Sequence, residues 1–223
     1  MKENSSSKGF RRLLICLLAY LFFTPFIPHD SQAASLFVQG FLTVTLLYAA
    51  LAVQKKQNQR SIALGVMSVA LVFHWLGLFH LVPYSADAGL LFFIIFYALI
   101  IYAFGKQLLN STHVSGGVIM GVLCLYLVIG LMWGSAYALL QHTYGNAFSG
   151  TLLENAGTSQ VHIFNYFSMV TQTTLGYGDI TPQIPEAASL CQMQAIVGQF
   201  YTAVLVAWLV GMYGKPLARN AEH

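Results

Sequence analysis

Charged side chains are scarce in this chain. Asp, Glu, Lys and Arg make up 8% of its 223 residues and hydrophobic residues 57%, whereas a soluble domain carries about 25% charged residues. So little charge cannot cover a surface that faces water. The net charge is only +3, without a basic cluster suited to nucleic acid. We therefore expect most of the surface to face lipid and count the length in membrane spans.

Cysteine is scarce as well, and its three copies lack the arrangement of a chemical site. Cys16, Cys124 and Cys191 lie inside apolar runs, without the spacing of a metal site. We interpret them as apolar packing residues. The sequence also lacks a recognisable nucleophile–base pair, metal cluster or phosphate loop, so we expect neither an enzyme nor a bound cofactor.

Long apolar runs are what the sequence contains. Six of them, each near the length of a membrane-spanning helix, cover residues 13–27, 36–53, 62–82, 90–104, 118–140 and 190–213. Helices are expected because lipid offers the backbone no hydrogen-bond partners. The first run follows Lys8, Arg11 and Arg12 and precedes Ser31-Gln32-Ala33, a pattern that also fits a cleaved signal peptide. We favour a retained span because the charges support six spans.

The charges also predict an orientation. With a cytoplasmic amino terminus and six spans, the inner segments contain every basic residue, namely Lys2, Lys8, Arg11, Arg12, Lys55, Lys56, Arg60, Lys106, Lys215 and Arg219. The charged residues of the outer segments are all acidic, namely Asp30, Asp87, Glu154, Asp179 and Glu186. Because basic residues concentrate in cytoplasmic loops, both termini are expected in the cytoplasm.

The outer segment at residues 141–189 is too long for a turn, and its apolar stretch at residues 161–170 is too short to cross a bilayer. We expect a re-entrant helix over residues 161–173, capped by Thr158 or Ser159 and followed by extended chain. His142 and His162 also fall in this outer segment, where they could sense pH. Irregular backbone at membrane depth occurs only when buried in protein or lining a water-filled path, so function is predicted in this segment.

The string Thr173-Thr174-Leu175-Gly176-Tyr177-Gly178-Asp179, followed by Thr181-Pro182, resembles the pore loop of the potassium channel superfamily. The likeness extends over both flanking helices, roughly residues 118–213, and the whole resembles a small bacterial ion-channel-domain protein with four added helices. It implies an all-α membrane protein with six transmembrane helices and a re-entrant pore helix and selectivity-filter loop between helices five and six. The expected parts are an N-terminal membrane region (1–110), a pore domain (111–215) and a short cytoplasmic tail (216–223).

The family filter, Thr-Val-Gly-Tyr-Gly, corresponds here to Thr174, Leu175, Gly176, Tyr177 and Gly178, with Leu in the place of Val. In such filters, backbone carbonyls from four chains replace the water around K⁺. The resemblance thus implies a homotetramer in a bacterial inner membrane, with K⁺ as permeant ion at Thr174, Leu175, Gly176 and Tyr177. A weakly selective cation channel of the same fold and a non-conducting scaffold or sensor subunit remain alternatives.

The resemblance also assigns supporting residues around the filter. Tyr166 and Phe167 occupy the place of an aromatic pair that packs around it, and Thr173 ends the pore helix. Val170 stands where some relatives carry a buried acid. Asp179, at the outer mouth, is expected to attract cations or to bond back to the pore helix.

The last span is predicted to be the inner helix. Gly198 lies twenty residues after Gly178, which is the family spacing of a hinge glycine; close packing on the pore helix explains it equally well. The residues that share a face toward the cavity are Gly198, Thr202, Leu205, Val206 and Leu209.

Other features of the helices predict packing and regulation. Gln192, Gln194 and Gln199 are expected to bond to neighbouring helices, and the pair Gly130 and Gly134 to permit close helix packing. The fourth span contains no Arg or Lys, so no voltage sensing is expected. No soluble ligand-binding domain is expected after the last span.

Overall fold

The computed structural model describes residues 2–27, 32–52, 61, 64–65, 67–69, 71–73, 85–111, 115–154 and 160–213. Helices dominate this part of the chain. In order, the elements are α1 (Lys2–Phe23) with a 3-10 turn (Thr24–Phe26), α2 (Gln32–Ala52), α3 (Ser85–Leu109), α4 (Gly116–Tyr144), β1 (Phe148–Ser149), α5 (Thr151–Glu154), α6 (Val161–Gln172), β2 (Thr181–Pro182) and α7 (Pro185–Tyr213).

Four helices among the described residues are long and apolar enough to cross a membrane: Lys8–Phe26, Asp87–Leu109, Gly116–Tyr144 and Pro185–Trp208. They correspond to the first, fourth, fifth and sixth predicted spans. The second predicted span coincides with α2, whose described apolar part, Gly40–Ala50, is shorter than a span. Most of the third lies outside the described residues, so the prediction of six spans is not decided here.

The helices extend beyond the apolar runs because capping chemistry, rather than hydropathy, sets their ends. The side chain of Ser115 accepts a hydrogen bond from the Val118 N–H and begins α4. Pro185 occupies the first position of α7, where its missing N–H costs nothing. Gly145, with φ of +75°, ends α4 by donating its N–H to the Gln141 carbonyl.

The main core forms where α1 and α3 pack against α4. One face of α1 is buried in it through Phe10, Leu13, Leu17 and Tyr20. The ring of Phe10 lies edge-on to Phe104 of α3, with centroids 5.1 Å apart. The first helix is therefore an integral part of the core that surrounds α4.

The cysteines match their interpretation as packing residues, and all three are free thiols. Cys124 is fully buried in the main core, where its thiol donates to the Phe10 carbonyl. Cys191 packs beside a second apolar cluster, and Cys16 is half-buried on α1.

The two histidines of the 141–189 segment both lie in helices. His142 lies in the last turn of α4, and His162 is the second residue of α6. The Nδ1 atom of His142 lies 2.6 Å from the Oδ1 atom of Asp87, in the first turn of α3. This contact joins α3 and α4 at one end, whereas Lys106 lies at the opposite end of α3.

Candidate functional site

The short helix α6 lies against α4 because two glycines let the backbones approach. A methyl group at Gly134 would overlap the side-chain oxygen of Asn165 and lie 3.0 Å from its Cα atom. A methyl group at Gly130 would meet the side chain of Met169. The prediction that Gly130 and Gly134 permit close helix packing is therefore confirmed.

Helix α6 ends one residue earlier than predicted. Gln172 is its last residue and Thr173 its C-cap; the N–H of Thr173 donates to the Met169 carbonyl at 3.0 Å. The Thr173 hydroxyl donates to the same carbonyl at 2.8 Å. At the other end the N-cap is Gln160, without a side-chain cap bond. The predicted cap candidates, Thr158 and Ser159, lie outside the described residues.

The chain turns back sharply after α6. The N–H of Thr174 donates to the Thr171 carbonyl at 3.0 Å. The Val170 carbonyl then accepts from two successive N–H groups, those of Leu175 at 3.0 Å and Gly176 at 3.3 Å. Val170 itself is buried. These bonds fix the start of the next segment, residues 174–178, at the carboxyl end of α6.

Backbone conformation alternates along the 174–178 segment. Thr174, Gly176 and Gly178 have φ of +60°, +54° and +77°, whereas φ is not positive at Leu175 or Tyr177. In an ordinary strand, successive carbonyls point in opposite directions, and an alternating sign of φ turns them toward the same side. The alternating sign of φ along the segment is compatible with a row of carbonyl oxygens on one side.

The left-handed conformation of Thr174 is the main feature that the sequence did not indicate. The two glycines were expected to allow unusual backbone angles. A β-branched residue with positive φ is an outlier, because its Cβ atom crowds the carbonyl. Thr174 is the one non-glycine residue in the described ranges with this conformation. The one sequence feature that could have indicated a positive φ at Thr174 is its position two residues before Gly176, the same spacing that separates Gly176 from Gly178.

A hydrogen bond ties the far end of the segment to α6. The Tyr166 hydroxyl donates to the Oδ2 atom of Asp179 at 2.6 Å, and Oδ1 accepts from the Ile180 N–H at 3.2 Å. Asp179 was expected to attract cations or to bond back to the short helix, and the structure contains the second of these, a hydrogen bond to α6. Desolvation, followed by the bond to Asp179, raises the pKa of Tyr166 to about 12, so its hydroxyl remains a donor at neutral pH.

A small sheet holds the chain that leaves Asp179. β1 pairs antiparallel with β2, with Phe148 opposite Pro182 and Ser149 opposite Thr181. Gly150 follows β1, and a methyl group there would overlap the Asp179 carbonyl oxygen. The outer end of the segment is thus held by backbone contacts on one side and by Tyr166 on the other.

We expect Tyr166→Phe to loosen this outer end while the helices stay intact. The change removes one charge-assisted hydrogen bond, which contributes about 1.5–3 kcal/mol. Ion flux through reconstituted protein should become less selective or decay with time. Tyr144→Phe, at an exposed tyrosine on the end of α4, is the matched control. Equal behaviour of the two variants would show that the contact with Asp179 does not matter.

The aromatic pair divides between two environments. Tyr166 reaches Asp179, but Phe167 packs away from the segment, with its ring centroid 5.1 Å from Tyr137 and 5.5 Å from Phe148. Within one chain only Tyr166 of the pair contacts a residue next to the segment, and the packing of both rings around a filter stays a prediction.

A polar network behind the segment links α6 with α4 and α7. Gln194 is fully buried. Its side-chain amide donates to the Ser168 carbonyl at 3.0 Å, and its side-chain oxygen accepts a hydrogen bond from the Tyr137 hydroxyl. The amide of Gln172 donates to the Tyr126 carbonyl at 2.8 Å. The expected interhelical role of Gln194 is confirmed, and that of Gln172 was missed. Gln192 and Gln199 are exposed.

The residues of the predicted cavity face of α7 have different surroundings in the single chain, and their role at a cavity stays a prediction. Gly198 is buried on α6, where a methyl group would overlap the Gln172 carbonyl oxygen. Leu205 packs toward α4, beside the cluster of Leu108, Val118 and Val122. Thr202 and Val206 are exposed. The side chain of Leu209 lies outside the described residues. Close packing at Gly198 is observed, and its hinge role stays a prediction.

Side chains offer no alternative ion site in the described ranges. No group of three His, Cys, Asp or Glu residues there is arranged to hold a metal ion. Backbone carbonyls, the kind of oxygen that potassium filters use, stay the ligands predicted from the sequence.

The comparison with protein families agrees with this location. A family profile described as ion channel matches residues 89–215, more than half of the chain. The matched range includes α4, α6, the 174–178 segment, all of α7 and most of α3. No curated protein and no solved structure was found to match. With its membrane-capable helices and this match over most of its length, the chain belongs to the ion channel family.

Proposed function

We propose that the chain is a subunit of a potassium-selective channel, in which carbonyls of Thr174, Leu175, Gly176, Tyr177 and Gly178 replace the water around K⁺. The alternating φ along this segment, directly after α6, carries the proposal. Carbonyl oxygens turned to one side can surround a dehydrated ion when several chains meet around an axis. Leucine in the second filter position leaves this chemistry unchanged, because the carbonyl rather than the side chain faces the ion.

We assign α6 the role of a re-entrant pore helix. Its 12 residues span about 18 Å at 1.5 Å per residue, less than the hydrocarbon thickness of about 30 Å. The partial negative charge at its carboxyl end then favours a cation near Thr173 and Thr174. The bonds from Val170 to the segment couple that end of the helix to the filter.

Four copies of the chain are proposed to form the pore. Leu175 and Tyr177 are 55% and 66% exposed in the single chain. They alternate with the positive-φ residues, so carbonyls facing a pore axis leave these side chains to pack against neighbouring subunits. Four of the exposed apolar residues of α7 follow each other at a spacing of three or four residues, namely Met193, Ile196, Phe200 and Val204. They form one stripe that a second copy can cover.

The wider arrangement follows from the same proposal. It comprises six spans, both termini in the cytoplasm of a bacterial cell, a membrane region (1–110), a pore domain (111–215) and a tail (216–223). The segregation of Asp87 and Lys106 to opposite ends of α3 supports this orientation. K⁺ is the permeant ion rather than a cofactor.

Ion replacement in liposomes tests the function. Purified protein should take up K⁺ and Rb⁺ along a gradient, whereas Na⁺ uptake should stay at the level of empty liposomes. Equal uptake of Na⁺ and K⁺ would support a weakly selective cation channel. Absence of uptake for every ion would support a non-conducting scaffold or sensor subunit.

A further inference from the structure

A buried polar contact joins the first helix to α6. The side-chain amide of Asn165 donates to the Tyr20 hydroxyl at 3.4 Å. Tyr20 is 2% exposed and Asn165 4% exposed. Two helices, α1 and α6, thus place polar groups at one point of a largely apolar core.

Such a contact helps to fix how the helices sit, because the described residues around it are largely apolar. Tyr20 belongs to the main apolar core, and its ring centroid lies 6.0 Å from that of Phe41. A buried polar group that loses its hydrogen-bond partner in such an environment destabilises the folded state. The Oδ1 atom of Asn165 is buried and accepts no hydrogen bond from the described residues, so Tyr20 is the partner that holds this side chain.

Asn165 has little freedom to move by itself. Its Cα and Oδ1 atoms lie directly against Gly134 of α4, where a methyl group would not fit. A displacement of Asn165 therefore carries the turn of α6 with it. The next residue in that turn is Tyr166, whose hydroxyl holds Asp179.

We propose that Tyr20 is a positioning residue for the ion filter: through Asn165 it holds α6 in the register at which Tyr166 reaches Asp179. The inference rests on the proposed function. The first helix then has a role in the ion pathway. One turn of α6 contacts α1 through Asn165 and contacts Asp179, after the filter, through Tyr166.

A double-mutant cycle tests this proposal. Tyr20→Phe, Asn165→Ala and the double variant are reconstituted into liposomes with the unaltered chain, and the ratio of K⁺ to Na⁺ flux is measured for each. Tyr102→Phe is the matched control, because that tyrosine is 60% exposed on α3. The flux ratio does not depend on how much protein folds, so it separates positioning from a loss of stability.

Tyr20→Phe should lower the flux ratio about fivefold, which is the factor expected when one hydrogen bond that supports a conformation is lost. The double variant should be no less selective than Asn165→Ala alone, since both changes break the same contact. Tyr102→Phe should match the unaltered chain. If Tyr20→Phe is as selective as Tyr102→Phe, or if the two effects add, the positioning role is refuted while the channel function stands. If the unaltered chain gives no selective flux, the proposed function fails and this inference fails with it.

Discussion

Gly178→Ala is expected to abolish selective potassium conduction. Gly178 has φ of +77°, and no atom lies within 4 Å of the place where a Cβ atom would be. The substitution therefore meets open space and acts through the backbone alone. A non-glycine residue in this region costs about 1–2 kcal/mol, and a tetramer would bear that cost four times around one ion path. The filter should leave its alternating conformation, and K⁺ flux should fall to the level of empty liposomes.

Gly145→Ala is a closely matched control for this prediction. Gly145 has φ of +75° and equally open surroundings, but it lies at the C-cap of α4, outside the filter. Both variants should lose a similar amount of thermal stability, because the backbone strain is the same. Only Gly178→Ala should lose selective flux. Retained selectivity in Gly178→Ala, or an equal loss in both, would refute the role of the 174–178 carbonyls.

Gly198→Ala is expected to have the second largest effect. The added methyl group would overlap the Gln172 carbonyl oxygen at the end of α6, and a backbone atom cannot rotate away as a side chain can. Overpacking of this kind typically costs about 1–3 kcal/mol. Helix α7 should be pushed from the filter support, which should lower both the thermal stability of the oligomer and K⁺ flux.

Gly211→Ala, in the same helix but in open surroundings, is the control for Gly198→Ala. It should leave stability unchanged or raise it, since Ala favours a helix over Gly by about 1 kcal/mol. A hinge at Gly198 makes a different prediction, in which Gly198→Ala stiffens α7 and lowers flux without loss of stability. Thermal unfolding of both variants therefore decides between packing and hinge, and a stabilised Gly198→Ala protein would contradict the packing interpretation.

Local chemistry made α6 and the segment after it predictable from the sequence. An apolar stretch too short for a span, followed by two glycines two residues apart, indicates both the helix and the unusual backbone after it. The helix bounds agree within one residue at the carboxyl end. Contacts between distant residues were not predictable. Tyr20 and Asn165 are far apart in the sequence, and their pairing depends on how α1 packs against α4.

Other differences have equally local causes. The hydrophobic run at residues 118–140 ends before α4 does, because its last turn continues through polar residues such as Gln141 and His142. Hydropathy therefore ended the span before His142, whereas the structure keeps His142 in the helix and in contact with Asp87. The positive φ of Thr174 arises from the turn after α6, which overrides the preference of a β-branched residue.

The reversal potential of reconstituted protein in a planar bilayer tests potassium selectivity most directly. An approximately tenfold K⁺ gradient, balanced by an opposite Na⁺ gradient, should give a reversal potential near the potassium equilibrium value of about 59 mV in magnitude. A value near zero would mean that Na⁺ and K⁺ pass equally well, and it would contradict a potassium-selective row of carbonyls at residues 174–178.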